Sequence, residues 1–431
     1  MFSEPAIGEK FFGRPEVIEL LNKRVSALRD GYRQNIALTG PSLAGKSSIL
    51  HHFLYTLKES DCVTVYVEVL KEPFKAFSDK FIATLLYSSL TKIGERPEID
   101  MNELLAISSS VIPKTHLSIK HINSCIEKSE YDEAYSGLLG LTSILKNEAN
   151  MSCIVILDEF DNLEYLGIKN PFLNFGKVIM VQKDTMYIVS SSRADAIRKI
   201  LSEKLSLLFG NFEIIKVSGY DPKTSSEYID MKLAGYEVDD VIRKFLIIFT
   251  DGNPFYLDRL ITKARDIAQI RMSNYIDSDV IKVAMLELIY NSGGSIHQYL
   301  LNYILELLDT KYKESYMSIL VSIANGHNKQ AEISKDLKVR QGEVAKGLAR
   351  MVEIGLLSKG GIFYTIDDVM LEFWLRFVYQ RRREILVNGV LDKMKLFDEE
   401  VSSYLSGFIR EANRDTISKL VELLNHLVQR E

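Results

Sequence analysis

Apolar and polar positions along the chain follow two periods. Compact apolar runs of strand length occur at Ile36–Leu38, Cys62–Val69, Ser152–Asp158, Met186–Ser191 and Ile214–Val217. Between them, apolar residues recur every three or four positions, the spacing of a helix with one buried face. Val17, Ile18, Leu20, Leu21, Val25 and Leu28 form one such stripe, and Ile49, Leu50, Phe53, Leu54 and Leu57 another. Residues 74–93 and 101–148 read as long helices linked near Pro97. Alternating strands and helices predict an α/β fold with a parallel sheet between helices.

The pattern changes after the last strand. Residues 224–287 read as helical, including Ser225–Leu233 and Asp239–Phe249, with a sharp corner at Gly252-Asn253-Pro254. Gly293-Gly294 then marks a linker before a helix at 296–308. Helices at 314–325, Gln330–Leu337 and Gly342–Ile354 precede two short strands within 355–366 that meet at Gly360-Gly361. Three helices and a hairpin in this order predict a winged helix with its third helix in the recognition position. Phe373 and Phe377 stand four apart in the closing segment, as in a packed helix. The expected domains are 1–218, 219–292, 293–366 and a helical 367–431.

At 431 residues the chain exceeds one ordinary core, which agrees with several domains. Its net charge of −5 excludes a uniformly basic nucleic-acid coat. Residues 311–361 nevertheless carry nine Lys/Arg against five Asp/Glu. Arg340, Gln341, Lys346, Arg350 and Lys359 are therefore candidate duplex contacts. The same residues would suit a protein partner or a solvated face. Arg381-Arg382-Arg383 reads either as solvated surface or as a contact to phosphate or an acidic partner. The cysteines Cys62, Cys125 and Cys153 lack metal or redox spacing and read as buried thiols. His116 and His121 read as surface or interface residues, since neither shows an acidic or cysteine partner at ligand spacing. Neither a signal peptide nor a membrane-spanning run is evident, so a cytoplasmic protein without a membrane partner is expected.

The chemistry concentrates in three places. Gly40-Pro41-Ser42-Leu43-Ala44-Gly45-Lys46-Ser47, followed by Ser48, matches G-x-x-x-x-G-K-[ST] between a strand and a helix. Backbone N–H groups of such a loop cradle phosphates, Lys46 reaches the β- and γ-phosphates, and Ser47 ligates Mg²⁺. A buried strand ends in Asp158-Glu159: Asp158 suits the Mg²⁺ shell and Glu159 the polarising of an attacking water. Asp161 reads either as a supporting residue or as a helix cap. A further strand ends in Ser192 and Arg193, which can stabilise charge on a transferring phosphoryl group; an ion pair is the other reading of Arg193.

With Phe11-Phe12-Gly13-Arg14 (a Phe-x-Gly-Arg pattern) ahead of the loop and Gly252-Asn253-Pro254 in the helical region, this order resembles the archaeal-type ATPase family. That family lies in the STAND branch of P-loop NTPases related to AAA+ proteins. The resemblance spans about residues 8–290 and is strongest at the Walker A and Walker B segments. It implies that Phe12, Gly13, Arg14, Gly252, Asn253 and Pro254 lie on the base side of ATP, that Arg193 senses the γ-phosphate, and that residues 219–292 form a helical lid. The lid lacks a convincing sensor arginine, which favours the STAND branch over a processive motor. The implied function is a slow, Mg²⁺-dependent ATPase acting as a molecular switch coupled to the winged helix, with DNA or protein as partner. The rival expectations are a DNA-binding regulator in which ATP is structural and a signalling scaffold forming an ATP-gated homo-oligomer.

Overall fold

The computed structural model describes residues 4–57, 62–205, 211–308, 311–384 and 390–412. They form two compact units, one running from Glu4 to Ser218 and one beginning at Gly219.

In the first unit the chain runs α1 (Pro15–Arg29), β1 (Asn35–Thr39), α2 (Lys46–Thr56), β2 (Val63–Glu68), α3 (Phe74–Ile93), α4 (Met101–Val111), α5 (Pro113–Glu127) and α6 (Tyr131–Ala149). It continues with β3 (Cys153–Asp158), α7 (Pro171–Val181), β4 (Thr185–Ser191), α8 (Ala194–Lys199) and β5 (Phe212–Lys216). The five strands make one parallel sheet in the order β2-β3-β4-β1-β5. β1, β3 and β4 are buried at every position, which is why they read as apolar runs rather than as alternation. Alternate residues nonetheless face different cores. Ile36, Leu38, Ile154, Ile156 and Ile188 pack with Leu21, Val25, Leu50 and Phe53 of α1 and α2. Ala37, Val155, Leu157 and Val189 face Phe77, Phe81, Leu138 and Phe175 from α3, α6 and α7. The chain leaves β1 for the far edge of the sheet and later returns past it to β5. This reversal opens a crevice at the carboxyl ends of the central strands, where open α/β sheets hold ligands.

The long helix expected over 101–148 is three helices. Pro113 opens α5, since its ring and missing N–H exclude it from a helix interior. Ser129, with φ 62°, turns the chain from α5 into α6.

The second unit contains α9 (Pro222–Lys232), β6 (Glu237–Val238), α10 (Asp240–Thr250), α11 (Pro254–Ile270), β7 (Tyr275–Ile276), α12 (Ser278–Met285) and α13 (Ser295–Leu307). α14 (Lys313–Ala324), α15 (Gln330–Leu337) and α16 (Gln341–Glu353) follow, then the hairpin of β8 (Ser358–Gly360) and β9 (Phe363–Thr365). α17 (Val369–Trp374) passes through a π-helical turn into α18 (Gln380–Glu384), and α19 covers Val390–Ala412. The continuous helical reading of 224–287 fails at β6 and β7, which pair in parallel; two residues each are too few to show a period. α16 buries Val344, Gly347, Leu348 and Met351, one face at helical spacing. At Gly347 a Cβ would lie 2.6 Å from Ile319 Cδ1, so glycine lets α16 approach α14 closely. The Phe373 and Phe377 rings pack with centroids 4.7 Å apart, as their spacing predicts. Beside them, buried Trp374 donates its indole N–H to His297 Nδ1 at 2.9 Å. Arg381 pairs with Glu400 and Arg382 donates to the Tyr290 carbonyl, so these two arginines engage their own unit. The helical expectation for 413–431 lies outside the described residues.

Cys62, Cys125 and Cys153 are buried thiols, none in a disulfide. Among the described residues no helix is long and apolar enough to cross a membrane.

Candidate nucleotide site

The loop after β1 has the backbone of a cradle. At Gly40 a Cβ would fall 1.9 Å from the Val217 carbonyl, so a side chain there would drive β1 and the end of β5 apart. Leu43 and Gly45 take left-handed backbone, with φ 58° and 97°. Gly45 does so without strain; Leu43 does not, and strain of this kind concentrates at binding sites. Lys46 opens α2, where unpaired N–H groups and the helix dipole favour an anion. Its Nζ donates to the carbonyls of Gly40 and Pro41, both at 3.0 Å, and to Ser192 Oγ at 2.9 Å. Burial pushes the Lys46 amine down, against the opposing pull of Glu159, Asp158 and Asp161.

Asp158 collects donors from two strands, a helix and the residue that follows it. Ser47 Oγ donates to Oδ2 at 2.7 Å and the Tyr66 hydroxyl to the same oxygen at 2.8 Å. Ser190 Oγ and, at 3.1 Å, the Glu159 N–H donate to Oδ1. Glu159 is left-handed at φ 53°. It accepts Ser192 Oγ at 2.5 Å and the Ser192 N–H at 3.2 Å. Burial raises the Glu159 carboxyl above its usual range; Lys46 and Ser192 oppose that rise, and Asp158 and Asp161 reinforce it. Five predicted residues, Lys46, Ser47, Asp158, Glu159 and Ser192, thus form one hydrogen-bonded network at the carboxyl edge of the sheet.

Arg193 lies beside this network on a different partner. Its Nε donates to Asp161 Oδ2 at 2.6 Å, and Nη2 lies 3.4 Å from Glu164 Oε1. Burial lowers the guanidinium pKa, but Asp161, with Tyr165 and Glu164, more than offsets it and the net direction is up. Asp161 is itself buried, and its Oδ1 has no partner among the described residues. Asp161 lies in a 3-10 turn with its carboxylate on Arg193 rather than on a helix N-terminus, so it is not a helix cap.

Ahead of the loop, Gly13 and Arg14 are left-handed, with φ 69° and 61°. Arg14 Nη2 bridges the carbonyls of Ala44 (2.8 Å) and Ser218 (2.6 Å), and Ser48 Oγ accepts the Ala6 N–H at 3.0 Å. Phe11, adjacent to predicted Phe12, stacks on His52 with centroids 4.0 Å apart. Pro41 is exposed and Ser42 and Phe12 are half-buried.

Asn253 and Pro254 belong to the second unit. Asn253 caps α11 through Oδ1 to the N–H of Phe255 (3.0 Å). Gly252, φ 62°, lies where a Cβ would be 2.1 Å from the Tyr220 carbonyl. Arg340, Gln341, Lys346, Arg350 and Lys359 are all exposed; Arg350 pairs with Glu353 at 2.8 Å, and Lys359 Nζ lies over the Tyr364 ring at 5.5 Å.

The sequence reading missed Tyr66, His51, whose ring packs on Tyr66 at 4.4 Å, and the bond that Ser190 makes to Asp158. A faint signal existed: Thr64, Tyr66 and Glu68 alternate with Val63, Val65 and Val67, which sets a hydroxyl on the face of β2 opposite its valines.

No protein-family model matches the chain, and no curated protein matches it. Among solved structures, the chain is similar to the Walker-type ATPase of Pyrococcus abyssi, with a TM-score of 0.55 at 17% identity over 87% of this chain and 99% of that one. It is also similar to the Aeropyrum pernix ORC2 protein in its ADPNP–ADP complexes, with a TM-score of 0.51 at 12% identity over 94% and 98%. The Thermotoga maritima RuvB Holliday junction branch migration motor gives a TM-score of 0.41 at 15% identity over 85% and 96%. A parallel sheet between helices, a Walker A loop at its crevice and a helical region later in the chain give this chain the fold of the P-loop ATPases.

Proposed function

We propose that the chain is an archaeal-type, STAND-branch ATPase that binds ATP with Mg²⁺ and hydrolyses it slowly as a molecular switch. The observation that carries this reading is the network joining Lys46, Ser47, Asp158, Glu159 and Ser192. Mg²⁺ fits the donor set. Ser47 Oγ and Asp158 Oδ2, 2.7 Å apart, are both hard oxygens, and neighbouring oxygens of an octahedral Mg²⁺ lie about 2.9 Å apart. The ion would neutralise phosphate charge when bound. Lys46 would exchange its carbonyl partners for phosphate oxygens. Ser192 would stay within reach of both Lys46 and the incoming γ-phosphate. Glu159, held by Ser192, would take the proton of the attacking water. Arg193 would act on the γ-phosphate only after leaving Asp161, a rearrangement suited to reporting nucleotide state. The second unit would read that state through the covalent junction Ser218–Gly219, beside the Arg14 contact.

The experiment compares nucleotide binding and phosphate release for three proteins. Lys46→Ala should lose affinity by about 100-fold or more. Glu159→Gln should bind normally and lose turnover by about 100-fold or more. Equal binding by wild type and Lys46→Ala overturns the proposal.

A second element of the reading concerns α14–α16 and the β8–β9 hairpin, whose order supports a winged helix. Exposed Arg340, Gln341, Lys346, Arg350 and Lys359 support duplex DNA as its partner over protein. The P-loop unit would then act as an ATP-dependent regulator of DNA occupancy. Sizing with ADP and a non-hydrolysable ATP analogue separates this from a nucleotide-gated homo-oligomer.

A further inference from the structure

The helical hairpin α5–α6, inserted between β2 and β3, carries a group of side chains that the ATPase chemistry does not use. His121 and Cys125 lie one turn apart on α5, and Glu133 stands in the first turn of α6. His121 Nε2 is 3.7 Å from Cys125 Sγ and 3.4 Å from Glu133 Oε1, and the three ligand atoms lie within 4.8 Å of one another. The sequence reading found no cysteine or acidic partner for His121. That is corrected here: the cysteine is four residues along its own helix, and the acid arrives across the left-handed Ser129 turn.

We propose that His121, Cys125 and Glu133 form a zinc site that clasps the α5–α6 hairpin. The spacing matches the ion. Bonds of about 2.3 Å to sulfur and about 2.0 Å to nitrogen or oxygen, at tetrahedral angles, separate sulfur from nitrogen by about 3.5 Å and nitrogen from oxygen by about 3.3 Å. The two measured separations already sit near those values, and rotation of the exposed Glu133 carboxylate closes the third. The donor set also selects the metal. One thiolate and one imidazole favour zinc over Mg²⁺ or Ca²⁺, and a carboxylate completes a three-ligand set whose fourth place takes water. Cys125 is buried while His121 and Glu133 are exposed. The sulfur therefore sits at the floor of the site and the other two ligands close over the ion from solvent. His116, five residues earlier, takes no part: its Nδ1 pairs with Ser108 Oγ at 2.9 Å.

The test uses the full chain, free of nucleotide, titrated with Zn²⁺ alone and with Co²⁺ in its place against a chromophoric chelator. One equivalent should bind, and the Co²⁺ form should show a thiolate charge-transfer band. Mg²⁺ should give neither. Cys125→Ser should abolish the band, and His121→Gln should weaken binding by about 100-fold, the upper range for loss of even an outer partner. His121 is exposed, so that variant keeps its fold, which circular dichroism verifies. Glu133→Gln should cost about 10-fold. Absence of stoichiometric binding, a band that survives Cys125→Ser, or affinity indifferent to His121→Gln overturns the site and leaves a plain His121–Glu133 contact.

Discussion

Ser192 donates its hydroxyl to Glu159 at 2.5 Å while accepting from Lys46 at 2.9 Å. One small side chain thus fixes both the proposed base and the phosphate-binding amine. Ser192→Ala should lower turnover by about 10-fold with little change in ATP affinity, since phosphate oxygens would hold Lys46 once ATP is bound. Steady-state phosphate release and nucleotide titration measure the two effects separately. An affinity loss as large as the turnover loss would contradict this division of roles.

Arg193 is bound to Asp161 and Glu164 rather than directed at Lys46. If it serves the transferring phosphoryl group, Arg193→Ala should reduce turnover by about 100-fold or more at unchanged ATP affinity. If it is a structural pair, the melting temperature should fall and turnover per folded molecule should hold. Single-turnover hydrolysis alongside a melting curve decides between them.

His297 gives the second unit an acid-sensitive point. Burial, then the charge of Arg382, pushes its imidazole down from 6.5 to about 4, with a weaker opposing pull from the Ile289 carbonyl. The unfolded chain takes up a proton as pH falls below 6.5, and the folded chain does so only near 4. Stability is therefore fully present above 6.5 and is lost on acidification through that window, by up to about 3 kcal/mol. Protonation would also forfeit the acceptor that Trp374 uses, if the proton went to Nδ1. Denaturant melts between pH 7 and 4 should show this loss, and His297→Gln should flatten it.

On the proposed duplex contact, Lys346→Ala within α16 and Arg340→Ala at its N-cap should each weaken duplex DNA binding and reduce its salt slope by about one unit, because each phosphate contact releases about one counterion. Fluorescence anisotropy at several salt concentrations measures the slope. Unchanged slopes in both variants would turn the reading toward a protein partner.

The parts legible in the sequence share a cause. β1, β3 and β4 are buried on both faces, so their apolar runs stand out, and Gly40–Ser47 needs its residue types at fixed spacing. Asp158 and Glu159 follow at once from the end of β3. The rest depends on partners brought together by tertiary structure. Asp161 meets Arg193 across 32 residues. Tyr66 reaches Asp158 from another strand. Glu133 approaches His121 around a turn that the sequence reading ran through as helix. β6 and β7 were invisible because two-residue strands carry no period.

The place of β1 in the sheet has a consequence for how the protein is made. Its two neighbours, β4 and β5, are 146 or more residues further along, as the pairing of Lys46 with Ser192 across the same gap illustrates. A nascent chain that already contains the whole Gly40–Ser48 loop has no strand on either side of β1 until Thr185–Ser191 and Phe212–Lys216 leave the ribosome. Pairing over such separations is slow and leaves apolar edges exposed meanwhile. The Gly40–Ser48 loop is thus synthesised well before the strands that hold it in shape, so a nucleotide bound there as proposed would engage only chains whose first unit is complete.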